Sequence, residues 1–472
     1  MTEVTKQQRN EPPWPKPLPY TANILHRLAR GWKTWLGLLN EWDFRIPIGE
    51  INILGLPVFL INDPPLVRRI LVDEVENFPK HPYTLWILEP LIGRAIFSVN
   101  GEEWQWQRRL IDQAFQVAKL NRVFPSMAGA TEDFIKRLHE HKSQQPIDID
   151  AEMTLVTADV IMRTILSRPL SEGESKKIFL AFSRYQRKAG RALVLRFLNL
   201  PKSLIQINLK NDAKIIRDWI HIAIKERLKK HAEGDETSST SMDLLDCLIM
   251  ANDPETKRKF SEKQLVDQIC FLFLAGHETS ASSLGVATWL LALYQDIQQK
   301  LREEVLLVSA GKPVQEQLEQ VEIRKLNYCS AIFNETLRLY PPVSFFIRER
   351  IKTDTNFFVS GEKSKCPLGA LLTLSPWVIQ RHENHWEDPQ VFKPERFLKT
   401  KESRWVKEAF LPFGIGPRKC PGAAFAQQEA VLVLAELVRN FKVSPAKGHI
   451  PNLTGRLTLR SSNGIKLLLQ KV

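Results

Sequence analysis

From Ser261 toward Gln299 the chain keeps helical periodicity for more than 35 residues, against the 11 or 12 of an ordinary helix. Ser261 and Gln264 have the spacing of a capping box, which fixes where the rod starts. Its middle reads FLFLAGHETSASSL, apolar nearly all round. A helix that long and that apolar has to be wrapped along most of its length, so it is expected to cross the molecule as a buried axis.

The flanking sequence supplies material for the wrapping. Helical periodicity dominates from about Pro64 to Tyr340, and a last helix is expected from just past Cys420 to near Asn440. Short strand-like runs interrupt this pattern at Gly55–Ile61, Ile351–Val359 and Leu368–Leu374. A closing hairpin is expected from Leu457–Leu459 and Ile465–Leu469 around a turn at Ser461–Gly464. The fold class is therefore mainly α with small β-sheets. Residues 1–20, with five prolines between positions 11 and 19, read as an extended arm, and 231–242 as a mobile surface loop. Length alone would allow two or three domains, yet 43% apolar residues, with 24 Phe and 12 Trp, suffice for one large core over 1–472.

Several function classes drop out early. Five cysteines are scattered without a CxxC pair, which argues against a disulfide framework or a zinc site and for a reducing compartment. The opening MTEVTKQQRNEPPWPKPLPY has neither a signal-peptide core nor the roughly 18 apolar residues of a spanning helix, so a cytoplasmic protein without a transmembrane anchor is expected. A net charge of +13 fits an anionic membrane surface or an acidic protein partner; no nucleic-acid module accompanies it.

The most specific chemistry lies in FGIGPRKCPG, Phe413 to Gly422, which fits FxxGxRxCxG at every fixed position. Gly414, Gly416 and Gly422 let backbone come close to a flat ligand. Cys420 precedes a helix whose positive end favours a thiolate, the anionic ligand that pushes electron density onto haem iron. Arg418 is placed to meet a haem propionate. The segment resembles the haem-binding loop of the cytochrome P450 superfamily, and the likeness runs through nearly the whole chain, weakest before about residue 60 and through 170–240.

That resemblance implies the cytochrome P450 fold, a buried haem b crossed by the long helix, and roles for further motifs. Glu335 and Arg338 form an ExxR pair on one helix face, and Arg396 in the PERF segment joins them as an ion network serving folding and haem retention. In AGHET, Ala275 lies beside the cofactor, Gly276 opens a gap suited to dioxygen, and Glu278 with Thr279 delivers protons. His277 has no partner at ligand spacing and is not read as a metal ligand. Trp104 and Arg108 match a WxxxR pair directed at propionates, and Arg348 falls where a further propionate-binding arginine is common.

Over the distal face the resemblance places Tyr83, Leu85, Trp86, Leu88, Phe97, Phe271, Phe273, Val343, Phe345 and Phe346, a lining for a lipophilic substrate. The expected reaction inserts one atom of O2 into that substrate. Its alternatives are a peroxide-driven or rearranging haem-thiolate enzyme and a non-catalytic haem sensor. No flavin or iron–sulfur motif is present, so electrons are expected from a separate ferredoxin or flavodoxin with its reductase. Lys399, Lys401, Arg404, Lys407, Arg418 and Lys419 would steer it to the proximal face. The basic stretch 184–210 is either a solvated face or a peripheral membrane contact. Lacking an anchor, the chain fits a soluble, bacterial member with eukaryote-like AGHET and PERF motifs.

Overall fold

The computed structural model describes residues 11–53, 55–115, 117–142, 145–169, 172–197, 201–233, 243–352, 366–398 and 409–472. Ten helices carry the architecture: α1 (Pro82–Ile92), α2 (Gly101–Ala114), α3 (Val117–Glu140), α4 (Ile149–Leu166), α5 (Glu172–Phe197), α6 (Lys202–Ala232), α7 (Glu262–Leu293), α8 (Gln295–Val308), α9 (Asn327–Leu339) and α10 (Ala423–Asn440).

The axis is α7, 32 residues long, capped at Ser261 by the reciprocal Ser261–Gln264 bonds expected of it. It does not reach Gln299. Tyr294, at φ −109° and ψ 80°, leaves helical geometry, ends α7 and begins α8. The apolar pattern runs on across that break, which is why periodicity alone reads the two as one rod. Helices α1, α4, α6, α9 and α10 pack directly on α7 and bury most of its residues. At Gly276 the packing is tight: a Cβ there would lie 2.9 Å from Ile161 Cδ1 of α4. On the side where a Gly276 side chain would point, the room is taken by Ile161.

Four strands, β1 (Ile48–Ile53), β2 (Leu56–Ile61), β5 (Leu371–Leu374) and β4 (Phe346–Glu349), form one sheet in that order, with β2 and β5 parallel and the other pairs antiparallel. An apolar cluster built on Phe59, Ile61, Leu372 and Leu374 lies against it. The C-terminal strands do not form the expected hairpin. β8 (Leu459–Ser461) pairs with β7 (Leu453–Gly455), while β9 (Lys466–Lys471) pairs with β6 (Phe441–Pro445) and β3 (Ile147–Asp148). Asp148 Oδ1 accepts the Ile465 N–H at 3.0 Å, so the chain after Gly464 is drawn toward β3.

The arm from 11 to 20 runs extended along the body. Trp14 meets Phe44 edge-on at 5.7 Å and lies under the Arg381 guanidinium, and Pro13 O accepts the Tyr340 hydroxyl at 2.8 Å. Of the surface loop expected at 231–242, His231 and Ala232 still belong to α6, and 234–242 lie outside the described residues. The strand expected at 351–359 falls mostly outside them as well, and Ile351 and Lys352 are not in a strand. Among the described residues no helix is long and apolar enough to cross a membrane.

Candidate functional site

The loop before α10 is shaped by its glycines. Gly414 and Gly416 take φ of 68° and 74°, a region in which a side chain is strained. A Cβ on Gly416 would collide with the Leu71 carbonyl, so the loop wedges against the 69–73 turn. Cys420 N–H donates to Phe413 O at 2.9 Å and Lys419 N–H to Gly416 O at 3.0 Å, closing the loop just ahead of the α10 N-terminus. Cys420 is exposed at its surface, yet the surrounding protein desolvates the sulfur and pushes the thiol pKa up. The Gly422 N–H and the Arg108 and Lys419 charges pull the other way. A metal ion at the sulfur would displace the proton.

Cations converge beside this loop. Arg418 donates to Val99 O at 3.2 Å and to Asn100 Oδ1 at 2.9 Å, with its guanidinium 4.4 Å from the centre of the Trp104 ring. Trp104 therefore stacks on Arg418, a contact that spacing did not foretell. Arg108 donates to Lys419 O at 2.6 Å and pairs with Asp112 at 2.8 Å. Arg348 on β4 is 6% exposed, and its Nε has no partner among the described residues. Burial first, then repulsion from Arg418, pushes Arg348 down to about 9; burial and Arg108 bring Arg418 to about 10.

Lys80 completes the group and was not singled out from sequence. It is bridged to Arg348 through the backbone, donates Nζ to Phe97 O at 2.7 Å and sits 3.6 Å from the centre of the Phe97 ring. Burial, followed by the Arg348 and Arg418 charges, holds its ammonium well below the usual range. Mutually repelling, half-satisfied cations are costly unless an anion joins them. An exposed thiol and a cation cluster short of anions among the described residues fit a porphyrin iron with two carboxylates.

On α7, Thr279 donates its hydroxyl to Ala275 O at 2.6 Å. Glu278 is buried and accepts from Thr458 at 3.0 Å, with Arg460 at 3.5 Å and His277 at 3.6 Å. Burial alone would raise its pKa, but Arg460, His277, Gln186 and Thr458 together hold it below the usual value. His277 lies between Phe182 and Phe273 with Nδ1 2.8 Å from Phe273 O, a core histidine. Glu335 and Arg338 form two bonds of 2.7 Å, both fully buried, with Arg396 at 3.4 Å from the carboxylate. Arg338 also donates to the carbonyls of Gln380, Pro389 and Val391, which ties α9 to the segment leading into the Cys420 loop.

The expected pocket residues separate. Phe97 and Phe271 stack at 5.5 Å, and Leu88 is half-buried against the same core. Trp86 is buried within that core, Phe273 packs toward Phe182, and Phe345 meets Trp35 at 4.0 Å. Phe346 packs with the sheet cluster, its ring 3.7 Å from where a Gly414 Cβ would be, so it backs the cysteine loop. Val343 is half-buried; the Tyr83 side chain and Lys399, Lys401, Arg404 and Lys407 lie outside the described residues.

A family model described as Cytochrome P450 matches residues 12–469. This chain belongs to the cytochrome P450 family. It is 29% identical over 468 residues to cytochrome P450 CYP749A22 of Panax ginseng, covering 96% of this chain and 85% of that protein. It is 30% identical over 443 residues to cytochrome P450 716A67 of Medicago truncatula, covering 88% and 79%. The 11-oxo-beta-amyrin 30-oxidase of Medicago truncatula is 28% identical over 433 residues, covering 88% and 79%. The mainly helical fold, haem b as cofactor and the oxidoreductase class of haem-thiolate monooxygenases follow from membership. Within this P450, Lys80 and Arg381 escaped the motif reading. Arg381 is fully buried against the Trp377, Tyr340 and Trp14 rings, and a lone arginine carries no spacing signal.

Proposed function

We propose that this P450 forms a single haem domain over 1–472 and inserts one atom of O2 into a lipophilic small molecule, by hydroxylation or epoxidation. The observation that carries the reading is the convergence of Lys80, Arg348 and Arg418 at the Cys420 loop with no carboxylate to neutralise them among the described residues. Bound haem b supplies the oxygen activation. The chain's residues hold and serve it. Cys420 is the iron ligand, with Gly422 N–H and the α10 N-terminus favouring the thiolate. Arg418, Arg348, Lys80, Arg108 and Trp104 take the propionates; Phe413, Gly414, Gly422 and Ala275 shape the flat faces. Glu335, Arg338 and Arg396 keep the loop in place from below.

Thr279 can turn its hydroxyl from Ala275 O toward a water, and the ionised Glu278 accepts and passes a proton by way of that water. The Phe97–Phe271 stack presents an apolar wall to substrate. A relative named as an oxidase of 11-oxo-beta-amyrin supports oxygenation of an organic small molecule.

Electrons come from a separate ferredoxin or flavodoxin meeting the basic proximal side. The protein is cytoplasmic, and exposed Leu180 and Ile207 near the basic stretch give it peripheral membrane contact. Arg184 and Lys188 already share Asp212, which weakens the charge available there.

The test is the ferrous carbon-monoxide complex. A red-shifted Soret band is expected, lost in Cys420→Ala and Cys420→His together with oxygen insertion. A wild-type band at the position of histidine-ligated haem overturns the reading, as does turnover with peroxide but never with a ferredoxin system.

A further inference from the structure

A turn between α1 and α2, residues 93–96, is fastened to α7 by groups the proposed chemistry does not use. Gly93 has φ 48°, and a Cβ there would fall inside the Asp267 carboxylate, so acid and turn fill one space. Asp267 is 1% exposed; its Oδ2 accepts the Arg94 N–H at 2.9 Å and its Oδ1 lies 2.7 Å from Arg217 of α6. Arg217 also donates to Leu91 O at 2.8 Å, near the C-terminal end of α1. The next residue of α7, Gln268, accepts the Ile96 N–H at 3.1 Å and donates to Gln107 at 2.8 Å, and Gln107 donates to Arg94 O at 3.1 Å. Three buried polar side chains thus meet one short turn.

Buried polar networks specify position, because another arrangement strands a donor or a charge; here Asp267 Oδ1 is met by the Arg217 charge alone. The turn they fix leads directly into Phe97. Phe271, four residues beyond Asp267, shares its face of α7 and stacks on Phe97. We propose that Asp267 and Arg217 are positioning residues for substrate selectivity: paired, they latch the 93–96 turn to α7 and α6 and so set the Phe97–Phe271 wall. This rests on the reading of Phe97 as pocket lining. The Asp267 side chain has no part in the oxygen chemistry, so its loss changes which ligands fit and leaves the iron site intact.

The experiment titrates the full-length holoprotein with imidazole, which needs only the iron, and with 1-dodecylimidazole, which must also pass the wall, following the Soret difference spectrum. In Asp267→Asn and Arg217→Gln the Kd for the dodecyl probe is expected to rise about tenfold while imidazole stays within about twofold. The double variant should be no weaker than either single, because the two act as one unit. Amide hydrogen exchange across 93–97 should accelerate in parallel, and the ferrous carbon-monoxide band should keep its position. Arg217 is partly exposed, so Arg217→Gln folds even if Asp267→Asn does not.

Phe97→Ala separates the two ideas. If it shifts the dodecyl-to-imidazole ratio while both latch variants leave that ratio and the exchange unchanged, the latch is overturned and the pocket stands. If Phe97→Ala leaves the ratio unchanged, Phe97 is not pocket lining and the proposal falls with that assignment. Additive losses in the double variant overturn the pairing.

Discussion

Glu429, nine residues after Cys420 on α10, accepts the Ser280 hydroxyl at 2.6 Å inside the core, and burial pushes its carboxyl up to about 8. The folded chain keeps a proton that the unfolded chain releases near 4.5, so stability falls as pH climbs from about 4.5 to about 8. Glu429→Gln, which can still accept from Ser280, should therefore raise stability at pH 8 by on the order of 4 kcal/mol and change little at pH 4. Urea unfolding at both pH values checks the sign; equal shifts at the two would refute it. Glu335 poses the opposite case, a buried charge fully used. Glu335→Gln strands Arg338 and Arg396, with an expected cost of about 3–5 kcal/mol, read as a lower denaturation midpoint and poorer haem content. Residues such as Cys420, Arg418 and Glu335 were legible because the motif residues that mark them lie within a few positions of one another. Lys80 was not, since backbone pairing of its segment with β4, distant in sequence, brings it to Arg348.

At the scale of elements, two glycines of one loop should behave differently. Both need positive φ, a strain of about 1–2 kcal/mol for alanine. Beyond that, a Gly414 Cβ makes ordinary contact with Phe346, whereas a Gly416 Cβ strikes the Leu71 carbonyl, which is backbone and cannot yield. Gly414→Ala should fold and bind haem with a modest loss of stability; Gly416→Ala should yield almost no soluble holoprotein, as expression and Soret absorbance will tell. Similar behaviour of the two would show that the 69–73 turn gives way. Which elements exist, and where α7 starts, could be read from periodicity and a capping box, both local. Strand partners could not. β8 and β9 are neighbours in sequence, yet each finds a different partner because Asp148, far upstream, captures the chain after Gly464. At Gly276, likewise, the missing side chain does not say that Ile161 of α4 takes its place.

Across the whole molecule, one apolar core runs from Leu36 to Leu469 and includes residues from every labelled helix. Heat should therefore unfold the holoprotein in one transition, with haem release and loss of helix coinciding; separate transitions would divide the proposed single domain. A net charge of +13 also makes reduction by an acidic ferredoxin salt-sensitive: going from about 0.05 to about 0.5 M ionic strength should slow it by about tenfold or more in stopped-flow measurements. A rate indifferent to salt would exclude electrostatic steering. The N-terminal arm bears on how such a chain is made. Trp14 emerges from the ribosome early, while Trp377 and Arg381, against which it finally rests, are translated some 20–70 s later at about 5–20 residues per second. During that interval a large aromatic ring has no native partner from the C-terminal part of the chain. The arm is thus among the last pieces to settle, and a nascent chain stalled before residue 377 would leave it open to chaperone capture.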